Sequence, residues 1–388
     1  MTPSISWIES DLAHLRDLGL RRARRTTTPL PGGRCLVGGL PLLNFAGNDY
    51  LGLATDRRVL EAARGALEEG GHGAGASALV CGRTERLVAL EQALARFERE
   101  PAAILFPTGY AANVGTIGAL VGSGDTVFCD RLNHASLVDG CRLSGARLRV
   151  YRHDRLERLQ KELERPATAG RRLIVTDGVF SMDGDLAPLP ALCDLAERFG
   201  AMLLVDEAHA TGVFGESGRG VSEHFGVESR VTVRVGTLSK AIGALGGFVA
   251  GSEGLIDWLW NRARTQIYST ALPPAICAGA ARAVEIIAAE PTLRRRLHDN
   301  CARLRERLEA VGISLPPGVS GPIVPIVLNS PEAALSAAAR LESAGLLVGA
   351  IRPPTVPNGT SRLRITLSAA HRPEDIDVLS GKIVEVLA

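Results

Sequence analysis

Short apolar runs alternate with segments of helical periodicity over residues 102–235 of this chain. Six of the runs have the length and composition of buried strands, and they are 103–106, 126–129, 148–151, 173–176, 202–205 and 231–235. Helices are predicted between them, as at Leu189–Phe199, and before them, where Leu87, Leu90, Leu94 and Phe97 recur at helical spacing. The alternation predicts an α/β fold with a mostly parallel central sheet flanked by helices.

The chain on either side of this region has a different pattern. Residues 1 to about 45 predict a helix followed by a loop that contains PLPGG at 29–33. Later, a long helical stretch is predicted at about 275–311, and then two strands, 323–328 and 362–367, with a helix between them. We therefore expect three segments, an N-terminal helix and arm at 1–48, a large domain at 49–275 and a smaller α+β C-terminal domain at 276–388.

Composition limits the classes of partner. The chain has 388 residues, is 46% hydrophobic and carries a net charge of +2, which gives no reason to expect nucleic acid or a membrane surface. Its seven cysteines form no C-x-x-C pair, which favours a reducing compartment. The N-terminus lacks a secretory pattern, and no apolar run approaches the roughly 20 residues that span a bilayer. We expect a cytoplasmic protein, and we predict no metal because no cluster of metal-ligating residues has a suitable spacing.

Polar or glycine residues follow several of the predicted strands. Gly109 comes after 103–106, Ser181 after 173–176, and Asp206 directly after 202–205. In parallel α/β sheets, ligands bind beyond the carboxyl ends of the strands. The sequence therefore predicts that these residues lie close together at one edge of the sheet.

Two neighbouring segments, DEAHATG at 206–212 and VGTLSKAIGALGG at 235–247, have the groups that pyridoxal phosphate (PLP) chemistry needs. An acid such as Asp206 can keep the cofactor's ring nitrogen protonated, and a lysine such as Lys240 can form a Schiff base with its aldehyde. His209 can bind the phenolic oxygen, and Thr237 the phosphate. Taken singly, Asp206 could equally be an acid that caps the next turn, and Lys240 could be a surface lysine at a strand end. D-E-A-H also occurs in helicases, but no phosphate loop accompanies it here.

Three other features are weaker on their own. Thr108, Gly109 and Tyr110 begin a predicted helix, whose N-terminus favours a phosphate but is equally an ordinary turn. His134 either stacks on a cofactor ring or caps its own helix. The glycine-rich segment 71–75 lacks the βαβ context of a dinucleotide site, so we interpret it as a backbone loop near a ligand.

Taken together, the motifs resemble the α-oxoamine synthase family of fold-type I PLP enzymes. The matching segments follow in order over residues 20–385, and they are NFAGNDYLGLA, PTGYAANVG, DRLNHASLVDG, TDGVFSMDGDLAPLP, VDEAHATGVFG, GTLSKAIGALGGFVAGS, YSTALPPA and IRPPTVPNGTSRLRITLSAAH. The resemblance implies a fold-type I PLP-dependent transferase that forms a homodimer with active sites at the interface.

The resemblance also implies roles for individual residues. The residues with catalytic roles are Lys240, His134, Asp206 and His209. The residues that bind the cofactor are Gly109, Tyr110, His134, Ser181, Asp206, His209, Thr237, Lys240 and, on the partner's phosphate, Thr270. The residues that bind substrate are Arg21, Asn48, His134, Thr355 and Arg364, with Asn48 and Arg364 on the amino-acid carboxylate.

Within the family, the IRPPTVP segment implies the decarboxylating condensation of L-alanine with a pimeloyl thioester in biotin biosynthesis. The thioester is carried by coenzyme A or by an acyl carrier protein. The alternatives are another family member that uses glycine or a different thioester, and a non-catalytic partner subunit, which should lack the lysine. Ala78 and Leu87 depart from the family pattern, which affects the acyl pocket or the dimer contact. The arginines at 21, 22, 24 and 25 favour a solvated helix end or a dimer contact.

Overall fold

The structure is a computed structural model, and it describes residues 5–165 and 170–387. The strands in these ranges are β1 (Thr27–Leu30), β2 (Arg34–Val37), β3 (Leu40–Phe45), β4 (Ala102–Phe106), β5 (Thr126–Asp130), β6 (Arg147–Tyr151), β7 (Arg172–Asp177), β8 (Met202–Asp206), β9 (Val233–Thr237), β10 (Gly247–Gly251), β11 (Ile323–Asn329), β12 (Leu346–Ile351) and β13 (Ser361–Thr366). The helices are α1 (Ser6–Asp17), α2 (Arg57–Gly70), α3 (Glu85–Glu98), α4 (Gly109–Leu120), α5 (Ala135–Leu143), α6 (Leu156–Leu163), α7 (Leu189–Phe199), α8 (Val221–His224), α9 (Glu253–Arg262), α10 (Arg264–Ile267), α11 (Pro274–Ala289), α12 (Pro291–Ala310), α13 (Pro331–Ser343) and α14 (Pro373–Leu387).

The chain divides into two compact units, each with its own sheet. The larger unit comprises Asn48–Leu297, and the smaller comprises the described residues of Met1–Gly47 and His298–Ala388. These two units differ from the three segments expected from the sequence. Both ends of the chain share the smaller unit, and α11 belongs to the larger one. The outermost residues of those segments, 1–4 and 388, lie outside the described residues.

The sheet of the larger unit confirms the predicted α/β fold. Its strand order is β4-β10-β9-β8-β7-β5-β6. The neighbours from β9 to β6 pair in parallel, whereas β10 is antiparallel to both β4 and β9. Strand β10 was not predicted, because its GFVAG sequence is short and begins and ends with glycine. Residues such as Val175, Leu204 and Val235 are almost fully buried, and burial on both faces explains why these strands are continuous apolar runs.

The smaller unit corrects the prediction for the N-terminal region. The expected loop after the first helix instead contains three strands, β1 to β3, and PLPGG contains the end of β1 and the turn of the β1–β2 hairpin. Gly33 in this turn has a φ of +67°, and a Cβ there would lie 2.3 Å from Cδ2 of His371, so glycine is required. The sheet order is β1-β2-β3-β12-β13-β11, with β12, another strand that was not predicted, parallel to β3.

The long helical stretch predicted at about 275–311 is helical in the structure, but it is interrupted once. The structure has two helices, α11 and α12, which are separated at Glu290. Glu290 has φ −119° and ψ 72°, which are not helical values. Pro291 has no N–H to continue the hydrogen-bond ladder and disfavours a helical conformation at the residue before it, so α12 has to begin anew. No helix in the described part of the chain is long and apolar enough to cross a membrane.

Candidate active site

Four adjacent parallel strands of the larger unit end in polar residues at one edge of the sheet. These residues are Thr237, Asp206, Asp177 and Asp130, at the ends of β9, β8, β7 and β5. Asp177 and Asp206 are direct partners in the β7–β8 register. Gly109 follows β4, which runs in the same direction because two antiparallel pairings separate it from β9. The edge therefore gathers groups that are far apart in the sequence, as expected.

The Asp206 carboxylate is fixed by two N–H donors. It is 5% exposed, and the backbone N–H of Ala208 donates to Oδ1 over 2.8 Å. The side-chain amide of Asn113, in the second turn of α4, donates to Oδ2 over 2.6 Å. Each carboxylate oxygen retains lone-pair capacity for a further cationic donor. Asp206 is thus oriented before any ligand arrives.

The loop that follows Asp206 is anchored by the next residue, Glu207, which was not among the predicted site residues. Its buried carboxylate accepts the backbone N–H groups of Val221 and Ser222, each over 2.8 Å, and the Ser222 hydroxyl over 2.5 Å. Burial raises the pKa of Glu207, and these hydrogen bonds oppose the rise. Because three donors bind one side chain, the turn that carries His209 is held in place.

His134 lies at the N-terminus of α5 and acts as its cap, with the backbone N–H of Ser136 donating to Nδ1 over 3.3 Å. The Ser136 hydroxyl lies 2.7 Å from the same nitrogen. Loss of hydration lowers the pKa of His134, Asp206 opposes this, and Lys240 adds to it. The capping alternative is therefore realised, and His134 is an exposed residue, so its capping role does not exclude contact with a ligand.

Asp177 is a further acid at the strand ends that was not predicted. It is 3% exposed, and its Oδ2 accepts the backbone N–H of His134 over 2.7 Å. Burial and the neighbouring Asp206 raise the pKa of Asp177 well above its usual range, although the His134 N–H and Lys240 oppose this. It is the first acid after the 173–176 run, as Asp206 is after 202–205, so the strand-end pattern already contained the signal.

His209 and Asn48 are linked through Tyr50, another residue that was not predicted. The Tyr50 hydroxyl lies 2.6 Å from Nδ1 of His209 and 3.2 Å from Oδ1 of Asn48. Since the Asn48 oxygen can only accept, the Tyr50 hydroxyl donates to it and accepts from a protonated Nδ1 of His209. Tyr50 is fully buried and His209 is 7% exposed, so this chain positions the His209 ring.

Gly109, Thr237 and Ser239 form a cradle at the N-terminus of α4. A Cβ on Gly109 would lie 3.0 Å from Oγ1 of Thr237, so the glycine permits close approach. The Thr237 and Ser239 hydroxyls are 2.8 Å apart. Tyr110 is exposed, and its hydroxyl donates to Asp139 over 2.6 Å, a hydrogen bond that raises the pKa of Tyr110. Backbone N–H groups and hydroxyls of this kind suit a phosphate.

Three other predicted residues of the larger unit are placed as follows. Lys240 is half-buried three residues after β9, and its charge acts on both His134 and Asp177. Ser181 is buried in the segment after β7. Thr270 is exposed and pairs with Ser77 in an isolated bridge.

The remaining predicted residues belong to the smaller unit. Arg21 is exposed, and Thr355 accepts a 3.3 Å hydrogen bond from Arg22. Arg364 is 7% exposed within β13. The two departures from the family pattern lie in the larger unit, where Leu87 is 2% exposed in α3 and Ala78 is half-buried.

The family of the chain follows from comparison with known proteins. A model of the family described as Aminotransferase class I and II matches residues 41–383. The chain belongs to this family. Curated relatives named 8-amino-7-oxononanoate synthase include one from Anaeromyxobacter dehalogenans, 50% identical over 99% of this chain and 96% of the relative. Another, from Methylococcus capsulatus, is 51% identical over 97% of each chain.

Solved structures of the family agree with the fold. Serine palmitoyltransferase from S. paucimobilis, with a bound PLP–myriocin aldimine, has a TM-score of 0.93, 33% identity, and coverage of 98% of this chain and 96% of its own. The 8-amino-7-oxononanoate synthase from Francisella tularensis has a TM-score of 0.76 and 30% identity, over 89% of this chain and 98% of its own. The resemblance to α-oxoamine synthases and the fold-type I class are therefore confirmed.

The side chains at the strand ends fit PLP, the cofactor of this family. Among the chain's three lysines, Lys161, Lys240 and Lys382, only Lys240 lies at this edge. Its charge acts on the buried Asp177 carboxyl group, and the cradle at Gly109 has room for a phosphate because no Cβ fills it. No group of three or more His, Cys, Asp or Glu residues in the described ranges could hold a metal ion.

A partly buried ion triad supports the segment that carries Ser181. His153 Nε2 lies 2.9 Å from Asp185, its Nδ1 lies 3.3 Å from Asp130, and its ring stacks on Phe180 with centroids 3.9 Å apart. Burial lowers the pKa of His153, but the two carboxylates outweigh burial and raise it to about 9. The imidazolium form thus links β5 to the 180–185 segment.

This triad makes a prediction for stability. Because the pKa of His153 is about 9 when folded and 6.5 when exposed, its stabilisation is complete below about pH 6.5 and is lost as pH rises through 9. The shift corresponds to about 3 kcal/mol. We expect the difference in unfolding free energy between wild type and His153→Gln, measured by urea denaturation, to shrink between about pH 6 and pH 9.5. A difference that stays constant with pH would contradict the triad.

Proposed function

We propose that this chain catalyses the PLP-dependent condensation of L-alanine with a pimeloyl thioester in biotin biosynthesis. The products are 8-amino-7-oxononanoate, carbon dioxide and a free thiol. A bond forms between Cα of alanine and the acyl carbon, the bond from Cα to the carboxylate breaks, and the thiolate leaves. The observation that carries the proposal is the identity of about half of the residues, over nearly the whole chain, to proteins of that name.

The arrangement of the larger unit supports this chemistry. When bound, PLP supplies an electron sink for the carbanion that forms at Cα. Lys240 would hold the cofactor covalently and move protons at Cα. Asp206, already oriented by two N–H donors, would bind the ring nitrogen, and Ser181 and His209 the phenolic oxygen. Gly109, Tyr110 and Thr237 would bind the phosphate end, and His134 would stack on the ring.

The substrate side of the proposal gives a test at Arg364. The planar guanidinium binds a carboxylate through two parallel N–H groups, which a lysine cannot do. We propose that Arg364 and Asn48 hold the carboxylate of alanine, and that Arg21 and Thr355 contact substrate. Arg364→Lys should therefore raise the Michaelis constant for alanine roughly tenfold or more, with a much smaller change for the thioester. A rise for the thioester alone would place Arg364 on the acyl side.

The first alternative differs from the proposal in substrate rather than in chemistry. Another α-oxoamine synthase activity would use glycine or serine, or a different thioester. We expect product formation with L-alanine and a pimeloyl thioester to exceed that with glycine, serine or a palmitoyl thioester by at least about tenfold in kcat/KM. Pimeloyl-coenzyme A and a pimeloyl carrier protein, assayed side by side, separate the two thioester sources. A non-catalytic subunit would give no product with any pair.

We also propose a cytoplasmic homodimer in which Thr270 reaches the partner's phosphate. Val80 and Tyr268, close in sequence to the Ser77–Thr270 bridge, are 78% and 71% exposed, and exposed apolar surface of this kind supports a protein contact. All seven cysteines are free, six of them buried, as suits a reducing compartment. Sedimentation of wild type and Val80→Asp tests the dimer, because the charge should increase dissociation.

A further inference from the structure

Asn113 connects Asp206, which would bind the ring nitrogen of the cofactor, with His134, which would stack on the ring. It is 2% exposed on α4, and its side-chain amide nitrogen lies 2.6 Å from Oδ2 of Asp206 and 2.9 Å from Oγ of Ser136. Ser136 is fully buried, and its hydroxyl in turn lies 2.7 Å from Nδ1 of His134. A continuous series of hydrogen bonds thus runs from Asp206 through Asn113 and Ser136 to His134.

The direction of these hydrogen bonds follows from the chemistry of each group. The Asp206 carboxylate can only accept, so the amide must present its nitrogen, and both amide hydrogens are used. Turning the amide over would place its oxygen against the carboxylate. None of the residues that the structure describes donates to Oδ1 of Asn113, so the amide leaves its own acceptor unused in this orientation. Asp206 therefore fixes the Asn113 side chain.

The same logic fixes the tautomer of His134. Because the Ser136 oxygen accepts from Asn113, its single hydrogen points to Nδ1 of His134. The backbone N–H of Ser136 points to the same atom. With two donors on Nδ1, that nitrogen is an acceptor, and the proton of the neutral ring is on Nε2.

We propose that Asn113 is a positioning residue that sets the orientation of the Asp206 carboxylate and, through Ser136, the tautomer of His134. The proposal rests on the proposed function for its catalytic consequence, since Asp206 and His134 would contact the cofactor ring. Asn113 itself would touch neither substrate nor cofactor. Its role is to couple the two groups, so that a change in the orientation of the Asp206 carboxylate alters the hydrogen bonds at His134.

The test uses the full-length protein, with and without PLP, and two variants, Asn113→Ala and Ser136→Ala. The chain has eight histidines, so selective ¹⁵N-histidine labelling with His134→Gln for assignment resolves the His134 ring by NMR. We expect wild-type His134 to carry its neutral proton on Nε2. Ser136→Ala removes the hydroxyl that donates to Nδ1, and Asn113→Ala removes the hydrogen bond that orients this hydroxyl. In both variants the pKa of His134 should therefore rise, and the fraction protonated on Nδ1 should increase.

Kinetics gives a second, independent readout. Loss of Asn113 should lower kcat about ten- to hundredfold, the rate equivalent of one hydrogen bond to a charged group, with little change in the Michaelis constant for the thioester. The control is Thr116→Val, one turn along the same helix, because Thr116 is fully buried and its hydroxyl has no partner within the described part of the chain. That variant should leave both the His134 signals and kcat close to wild type.

The outcomes are distinguishable. Unchanged His134 signals in both Asn113→Ala and Ser136→Ala would overturn the proposal, even in an active enzyme. If Asn113→Ala did not fold, Ser136→Ala alone would decide. If the His134 signals responded but wild type formed no product from alanine and pimeloyl thioester, the positioning role would stand and the proposed function would fail.

Discussion

Lys240→Ala is expected to lower product formation by about 10³-fold or more, because no other group at the strand ends can hold the cofactor covalently and move protons at Cα. The chain has only two other lysines, so the assignment is unusually open to test. Lys161 is exposed on α6, and Lys382 pairs with Glu385 on the surface, 2.7 Å away. Borohydride reduction of the PLP-loaded protein followed by peptide mass spectrometry should find the cofactor on Lys240 alone.

The matched controls are Lys161→Ala and Lys382→Ala, which should keep both activity and reducible cofactor. Lys240→Ala should still show wild-type thermal unfolding in the absence of PLP, since Lys240 lies outside the buried apolar core. Cofactor that stays covalently attached in Lys240→Ala would show that another lysine holds it.

Asp206→Asn is expected to lower kcat by about 10²–10³-fold, because the amide cannot supply the negative charge that a protonated ring nitrogen requires. Asp177→Asn is the matched comparison, since Asp177 lies opposite Asp206 in the register. Asp177 Oδ2 already accepts the backbone N–H of His134 over 2.7 Å, and burial and Asp206 raise the pKa of Asp177 well above its usual range, so its carboxyl group is the poorer partner for a protonated ring nitrogen. We expect a smaller loss for Asp177→Asn. The reverse order of effects would assign the ring nitrogen to Asp177.

The parts of this fold that could be predicted are those where burial leaves a continuous pattern. Strands β7 and β8 are buried on both faces, so their apolar runs and the polar residues that end them were visible in the sequence. Strands β1 to β3 were not, because β1 is largely exposed and the alternation in β2 and β3 is too short to separate from a loop. The break before Pro291 was predictable from the proline but was hidden by apolar periodicity on both sides.

The site residues also divide into those that the sequence pattern predicts and those that it does not. Asp206 and Thr237 end strands and Gly109 lies three residues after β4, so the sheet topology alone predicts that they meet at one edge. Asn113 and Tyr50 were missed because each acts through a side chain whose partner is distant in sequence, Asp206 at 93 positions and His209 at 159. No local pattern encodes such a pairing, since it depends on how helices and loops pack above the sheet. Three-dimensional contacts were needed to find them.

The central claim is that this chain joins alanine to a pimeloyl group with loss of the alanine carboxylate. The most direct measurement supplies purified, PLP-loaded protein with L-alanine labelled with ¹³C at the carboxylate and with pimeloyl-coenzyme A. Labelled carbon dioxide, free thiol and 8-amino-7-oxononanoate should appear in equal amounts, and none should appear with Lys240→Ala. Product that retained the labelled carboxylate, or thiol release without labelled carbon dioxide, would contradict the account.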